Sequence, residues 1–165
     1  RKYKNENYIL RYFMNADNGL IIKQTKNNGK GEEIFQFIGL IIRGKKKIVP
    51  NSYLDHHCIQ VSKDSYIDNS GELGDFINYS CEPNGGFQIR NGRAIIMAIR
   101  DIEKGEEITF DYSTSMAEDR YEMDCNCGSE NCRKRIRDFK YLPKDIQEKY
   151  IKLGAVQRFV INEIK

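Results

Sequence analysis

Cys125-Asn126-Cys127-Gly128-Ser129-Glu130-Asn131-Cys132 places three thiols within eight residues. Zinc in a closed structural site takes four soft or nitrogen ligands in a tetrahedron, and thiolates at short spacing supply them readily. Three are present here, so a fourth must be drawn from a distant segment. Two further cysteines exist, Cys58 and Cys81. Cys81 sits in Asn78-Tyr79-Ser80-Cys81-Glu82-Pro83-Asn84, and a metal bound there would tie two separate segments together. An odd cysteine count with three in a tight cluster favours metal over disulfides, and hence an intracellular, reducing compartment.

The bulk numbers set wide bounds. A chain of 165 residues is the size of one domain and can bury a real core. Its 31% charged and 39% hydrophobic residues describe a folded chain rather than a disordered one. No apolar run approaches the roughly 18 residues of a membrane span. The longest, Ile38 to Ile42, is expected to form a buried strand. No signal peptide is visible, and Arg1 reads as a trimmed start. Charge is unevenly spread: residues 64–124 carry 14 acidic and 5 basic side chains, net −9, and the rest 10 and 22, net +12. An acidic centre steers a lysine-rich partner, or is simply a solvated face.

Short strands separated by glycine-bearing turns run from Tyr8 to Ile42, with Leu20-Ile21-Ile22 and Ile34 to Gly39 flanking the turn Lys26 to Gly31. Residues 43–56 read as a variable connection. Cys58 to Val61 and Tyr66 to Asp68 suit short strands, and Gly71 to Asn84 is irregular. Asn91-Gly92 predicts a hairpin between Phe87–Arg90 and Arg93–Ile99. After the turn Lys104 to Glu107 comes the strand Ile108 to Tyr112. In the tail, Ile146, Tyr150, Leu153, Val156 and Val160 predict an amphipathic helix broken at Gly154.

Asn78 to Asn84, then Gly105-Glu106-Glu107-Ile108-Thr109-Phe110-Asp111-Tyr112, then the cysteine triplet resemble the SET-domain protein lysine methyltransferases with a post-SET zinc region. The family's Asn-His-Ser-Cys-x-Pro-Asn has Tyr79 in place of histidine here. Asp17-Asn18-Gly19-Leu20 resembles its Gly-x-Gly cofactor loop, with Asp17 for the first glycine. Lys30-Gly31-Glu32 and Phe37-Ile38-Gly39 match the turn and strand that follow. The likeness runs in order from about residue 8 to 137, and the tail Arg137 to Pro143 is similar to small free-standing members.

The resemblance implies a mainly β fold with few helices: small curved sheets, a pseudoknot-like core, and a C-terminal zinc segment and helix. It implies a SET domain over 1–113, a post-SET segment over 114–137 and a helical extension over 138–165. It also implies methyl transfer from S-adenosylmethionine to a lysine amine, with Tyr112 as the catalytic hydroxyl beside the transferring methyl. Phe110 matches the position where phenylalanine rather than tyrosine leaves room for further methyls, so di- or trimethyl-lysine is the implied product. Phe37 replaces a tyrosine that contacts the amine in relatives. For both phenylalanines the plain alternative is a core side chain.

By the same resemblance Asn18, Gly19, Leu20, His57, Asn78 and Tyr79 bind the cofactor, with a surface loop as the plain alternative for His57. Asp75 stands where arginine is common. Cys81 joins Cys125, Cys127 and Cys132 around one structural zinc, leaving Cys58 as a buried strand residue. The basic clusters Arg43 to Lys47 and Arg133-Lys134-Arg135 read as solvated faces, so direct nucleic-acid binding is not expected. The expected partner is a lysine-bearing protein, histone or other basic protein, in the nucleus of a eukaryote or the cytoplasm of a prokaryote. A catalytically weak SET-fold binding module is the alternative.

Overall fold

A computed structural model describes residues 13–14, 20–44, 47–49 and 52–165. Asp17, Asn18 and Gly19, assigned above to the cofactor loop, lie outside the described residues.

The chain opens with a small antiparallel pair, β1 (Phe13–Met14) and β2 (Leu20–Ile21). β3 (Glu33–Gln36) then enters the central sheet, and β4 (Leu40–Arg43) begins a second sheet. Helix α1 (Tyr53–His57) follows, starting inside the segment read as a plain connection. Its entry is capped by Ser52, whose hydroxyl accepts the Asp55 N–H at 3.2 Å. β5 (Cys58–Ser62) and β6 (Ser65–Asp68) complete the second sheet in the order β4-β6-β5, all antiparallel.

The central sheet is built on the predicted hairpin, β8 (Gly85–Arg90) and β9 (Arg93–Ala98). Asn91 and Gly92 both have positive φ, 51° and 74°, as a two-residue turn matched to strand twist requires. Phe87, Ile95 and Ile96 are fully buried along this hairpin, and Phe87 and Ile96 belong to the main core.

β7 (Asn78–Tyr79) and β10 (Thr109–Phe110) give the sheet order β3-β9-β8-β10-β7. β10 is therefore inserted, parallel to both, between two strands that are joined by residues 80–84. The later strand runs beneath the earlier loop, which is the pseudoknot-like core. Parallel pairing over two residues is weak by itself, and Asn84 supplements it. Its buried carboxamide accepts the Thr109 N–H at 3.0 Å and donates to Glu107 O at 2.8 Å. Gly85 lets β10 approach, since a Cβ there would lie 2.4 Å from Ile96 Cγ2 and 2.9 Å from Thr109 O.

Beyond β10 lie a 3₁₀ turn (Tyr112–Ser115) and the pair β11 (Met123–Asp124) and β12 (Arg135–Ile136). The tail holds α2 (Lys144–Lys152) and α3 (Arg158–Ile161), parted at Gly154, whose φ of 65° ends the first helix. Tyr150, Val156 and Val160 bury a second cluster with Phe139 and Leu142. Gln157 docks the tail on β8 by accepting from Ile89 N at 2.9 Å and donating to Phe87 O at 2.8 Å. It thereby satisfies strand edge that two-residue β10 leaves uncovered. Among the described residues no helix is long and apolar enough to cross a membrane.

One strand departs from its sequence reading. Ile38 to Ile42 reads as buried, yet Leu40 is 76% and Ile41 55% exposed. Among the described residues β4 pairs only with β6, at the margin of a sheet of three, so an apolar run there gains pairing without gaining a cover.

Candidate active site

Tyr112 is the centre of the site. Its position follows from β10, which ends at Phe110, and from Asp111, whose carboxylate accepts the Ser113 N–H at 3.1 Å and starts the 3₁₀ turn. The Tyr112 hydroxyl donates to Ile77 O at 2.6 Å. Its ring packs against Phe110 at 4.8 Å and edge-on to Tyr79 at 5.5 Å. Burial, reinforced by the surrounding phenols and carboxylates of Tyr121, Asp75, Tyr79 and Glu107, pushes the Tyr112 phenol far above its ordinary pKa. The phenol is therefore neutral at any working pH.

Tyr112 and Phe110 line a cavity of about 100 Å³ together with His57, Asp75, Met116 and Tyr121. Phe110 is 3% exposed and also contacts Phe37 at 5.9 Å, so it belongs to core and cavity at once. Phe37 does not reach the cavity. It packs among Phe35, Phe87 and Phe110 against Gly74, where an added Cβ would lie 2.4 Å from its ring. His57 is not a loop residue but the end of α1, and Asp75 holds its Nδ1 at 2.5 Å. Cys58 is half-buried rather than buried and lines the same cavity; burial pushes its thiol up to about 11, against the lowering influence of Arg120.

Asn78 and Tyr79 lie on β7 beside the cavity rather than on its wall. Asn78 donates to Glu107 Oε1 at 2.7 Å, while the Tyr79 hydroxyl accepts the Asn126 N–H at 3.1 Å. The Tyr79 side chain thus reaches the cysteine segment. Leu20 is placed by its backbone in β2.

The fold brings Cys81 to the cysteine triplet and keeps Cys58 away. The four sulfurs of Cys81, Cys125, Cys127 and Cys132 all lie within 4.8 Å of one another. Cys125 Sγ is 3.5 Å from both Cys81 Sγ and Cys132 Sγ. A tetrahedral zinc with metal–sulfur bonds near 2.3 Å requires sulfurs about 3.8 Å apart, whereas a disulfide requires about 2.05 Å. The set fits a tetrathiolate metal.

Backbone amides also prepare sulfur for negative charge. The Cys81 N–H points to Cys127 Sγ at 3.5 Å, and the Arg133 N–H to Cys81 Sγ at 3.4 Å. Burial raises Cys125 and Cys81 above the ordinary thiol value. Burial acts on Cys127 too, but hydrogen bonds from Ser129 and Cys81 outweigh it and lower that thiol to about 6. A single cation bound by all four sulfurs would hold these opposed thiols deprotonated together.

Arg133 departs from its reading as part of a solvated basic face. Its guanidinium meets buried Asp111 at 2.6 Å, and Tyr150 of α2 donates to the same Asp111 Oδ2 at 2.9 Å. Asp111 adjoins Tyr112 and Arg133 adjoins Cys132, so this contact joins tyrosine strand, cysteine segment and tail. The pairing of distant residues through one carboxylate has no signature in local sequence. Arg135 remains exposed and paired with Glu122 and Asp124.

The arrangement of small sheets threaded under a loop is similar to that of solved proteins. The structure of KRYPTONITE in complex with mCHH DNA, H3(1-15) peptide and SAH matches with a TM-score of 0.60 and 26% identity, over 78% of this chain and 30% of that one. Histone-lysine N-methyltransferase ash1 of Drosophila melanogaster is 33% identical over 132 residues, 73% of this chain and 6% of that protein. Histone-lysine N-methyltransferase 2D of Homo sapiens is 30% identical over 144 residues, 81% of this chain and 2% of that protein. The chain thus spans only a small part of the curated relatives it matches. The SET domain model matches residues 19–113, and the chain belongs to that family.

Proposed function

We propose that this chain is a protein-lysine N-methyltransferase that uses S-adenosylmethionine, with Tyr112 as its catalytic hydroxyl. The carrying observation is the neutral Tyr112 phenol on a cavity shared with Phe110, in a chain of the SET domain family. S-adenosylmethionine supplies an electrophilic methyl group. Asn78 and Tyr79, with Leu20, Asn18 and Gly19, would hold it, while His57, grouped with them by the resemblance, stands on the cavity wall against Asp75. In-line methyl transfer depends on positioning and on keeping water out, and the chain answers both needs. The Tyr112 proton is committed to Ile77 O, which fixes the phenol oxygen as an acceptor toward the cavity's contents. Phe110 adds an apolar wall with no hydroxyl to bind water, which favours di- or trimethyl-lysine as product.

Zinc held by Cys81, Cys125, Cys127 and Cys132 is structural, because four thiolates leave no open position. It closes a post-SET segment, 114–137, against a SET domain ending near 113, with 138–165 as a helical buttress. The substrate is a histone or another basic protein, drawn by the acidic centre of the chain, and in a eukaryote the place of work is the nucleus.

Labelled S-adenosylmethionine offered with histones and other basic proteins tests the reading directly. Wild-type protein transfers label to lysine, and Tyr112→Phe lowers kcat by about 10²–10³, the scale of removing one positioned polar group from a reaction centre. Binding of S-adenosylmethionine survives that change. Failure of the wild type both to bind the cofactor and to label any protein overturns the reading.

A further inference from the structure

A lysine side chain is an ammonium at neutral pH, with an ordinary pKa near 10.4, and cannot be methylated until it loses a proton. Tyr112 cannot take it, since its hydroxyl is itself a neutral donor committed to Ile77 O. On the cavity wall, His57 is placed to accept a proton. His57 Nδ1 lies 2.5 Å from Asp75 Oδ1, and the other Asp75 oxygen accepts the Gly71 N–H at 3.3 Å. A carboxylate only accepts hydrogen bonds, so in the imidazole tautomer that suits this contact Nδ1 bears the hydrogen and Nε2 offers its lone pair. The Tyr53 ring covers the imidazole, 4.1 Å between centroids and inclined by 33°.

The same cavity holds two polar atoms suited to water. Tyr66 Oη and Asn69 Oδ1 belong to residues 1% and 2% exposed, line the cavity, and have no hydrogen-bond partner among the described residues. A volume of about 100 Å³ with such atoms admits bridging water.

The other charges around His57 are already matched. Arg120 Nη2 lies 3.0 Å from both Asp55 and Glu118. The Asp138 carboxylate accepts the Asp119 N–H at 2.7 Å, and His56 faces the Tyr121 ring. Burial keeps Tyr121, like Tyr112, neutral. Asp75 is therefore the anion that acts directly on His57.

Resting on the methyltransferase reading above, we propose that His57, held by Asp75, accepts the proton that the substrate amine loses before methylation. An ammonium N–H bond breaks, directly or across one water, and an N–H bond forms at His57 Nε2. The electron pair stays on the lysine nitrogen. The resulting imidazolium faces the Asp75 carboxylate, then returns its proton to bulk water, for which its 27% side-chain exposure gives access.

The test uses the full chain with His57→Gln and Asp75→Asn. Methyl transfer is followed from pH 6.5 to 10 on a basic protein that the wild type methylates, alongside S-adenosylhomocysteine binding by calorimetry. His57→Gln lowers kcat about 100-fold at pH 7, within the usual range for lost general base catalysis. The deficit narrows to about threefold by pH 10, where free amine forms without help. Asp75→Asn lies between variant and wild type, and carries the test if His57→Gln does not fold. Binding of S-adenosylhomocysteine stays within about threefold throughout, as a proton-transfer role requires. A deficit of constant size across pH, or one explained by lost S-adenosylhomocysteine binding, overturns the proposal alone. A wild type inactive on every lysine overturns the methyltransferase reading and this proposal together.

Discussion

The central sheet and the cysteine segment meet at Tyr112 but are held together by different physics. The sheet buries Ile34, Phe87, Ile95 and Ile96 completely around β8 and β9, and needs nothing beyond its own side chains. The cysteine segment buries only Cys81, Cys125 and Ile136 as apolar groups, and its strands β11 and β12 are two residues each. Hydrophobic burial scales with area, so the first region is held by its own packing, while the second leans on the Asp111 network and, on the function proposed above, on a bound metal. One half of the site is thus held by packing, and the other by polar contacts and four thiols suited to a metal.

The largest effect that separates the two regions is metal loss. Cys81→Ser or Cys127→Ser lowers bound zinc from one per chain to near zero by metal analysis, and methyl transfer becomes undetectable. The sheet's circular dichroism persists. Retention of one zinc in both variants breaks the comparison, because the metal would then have other ligands. Next comes Phe87→Ala, which empties the centre of the sheet and costs about 3–5 kcal/mol in denaturant unfolding. Zinc content at temperatures where the variant remains folded is unchanged.

Tyr150→Phe is smaller. It removes one of three donors from a buried carboxylate and costs about 1–3 kcal/mol in thermal unfolding, with a larger loss of cysteine-segment protection than of sheet protection in hydrogen exchange. Equal loss in both regions would show that the tail braces the whole molecule. The smallest effect concerns Cys58. Its thiol, raised to about 11 by burial, is protonated at pH 8, so alkylation is slow there and rises about tenfold per pH unit up to that value. In metal-stripped protein the triplet thiols react first, and mass spectrometry of the alkylated peptides separates the two.

The sequence was most legible where local chemistry is self-sufficient. Asn91-Gly92 announces the hairpin because only such residues tolerate consecutive positive φ. Gly154 announces the helix break for the same reason. It was least legible where burial depends on distant cover. Ile38 to Ile42 has the composition of a core strand, but β4 lies at a sheet margin and exposes Leu40 and Ile41. Arg133 shows the reverse: one residue of a basic cluster turns inward because a buried carboxylate waits for it.

The sequence by itself determined the residue types of the site: four cysteines, Tyr112 after Phe110, and the ordered motifs that carry the family likeness. Their order along the chain is a local property, and local chemistry reads it. Tertiary structure decided which groups meet. It selected Cys81 over Cys58 as the fourth thiol, threaded β10 beneath residues 80–84 with Asn84 as its clamp, and set Asp75 against His57. Contacts between residues far apart in sequence depend on how strands pair and pack, and that is fixed only when the whole core closes.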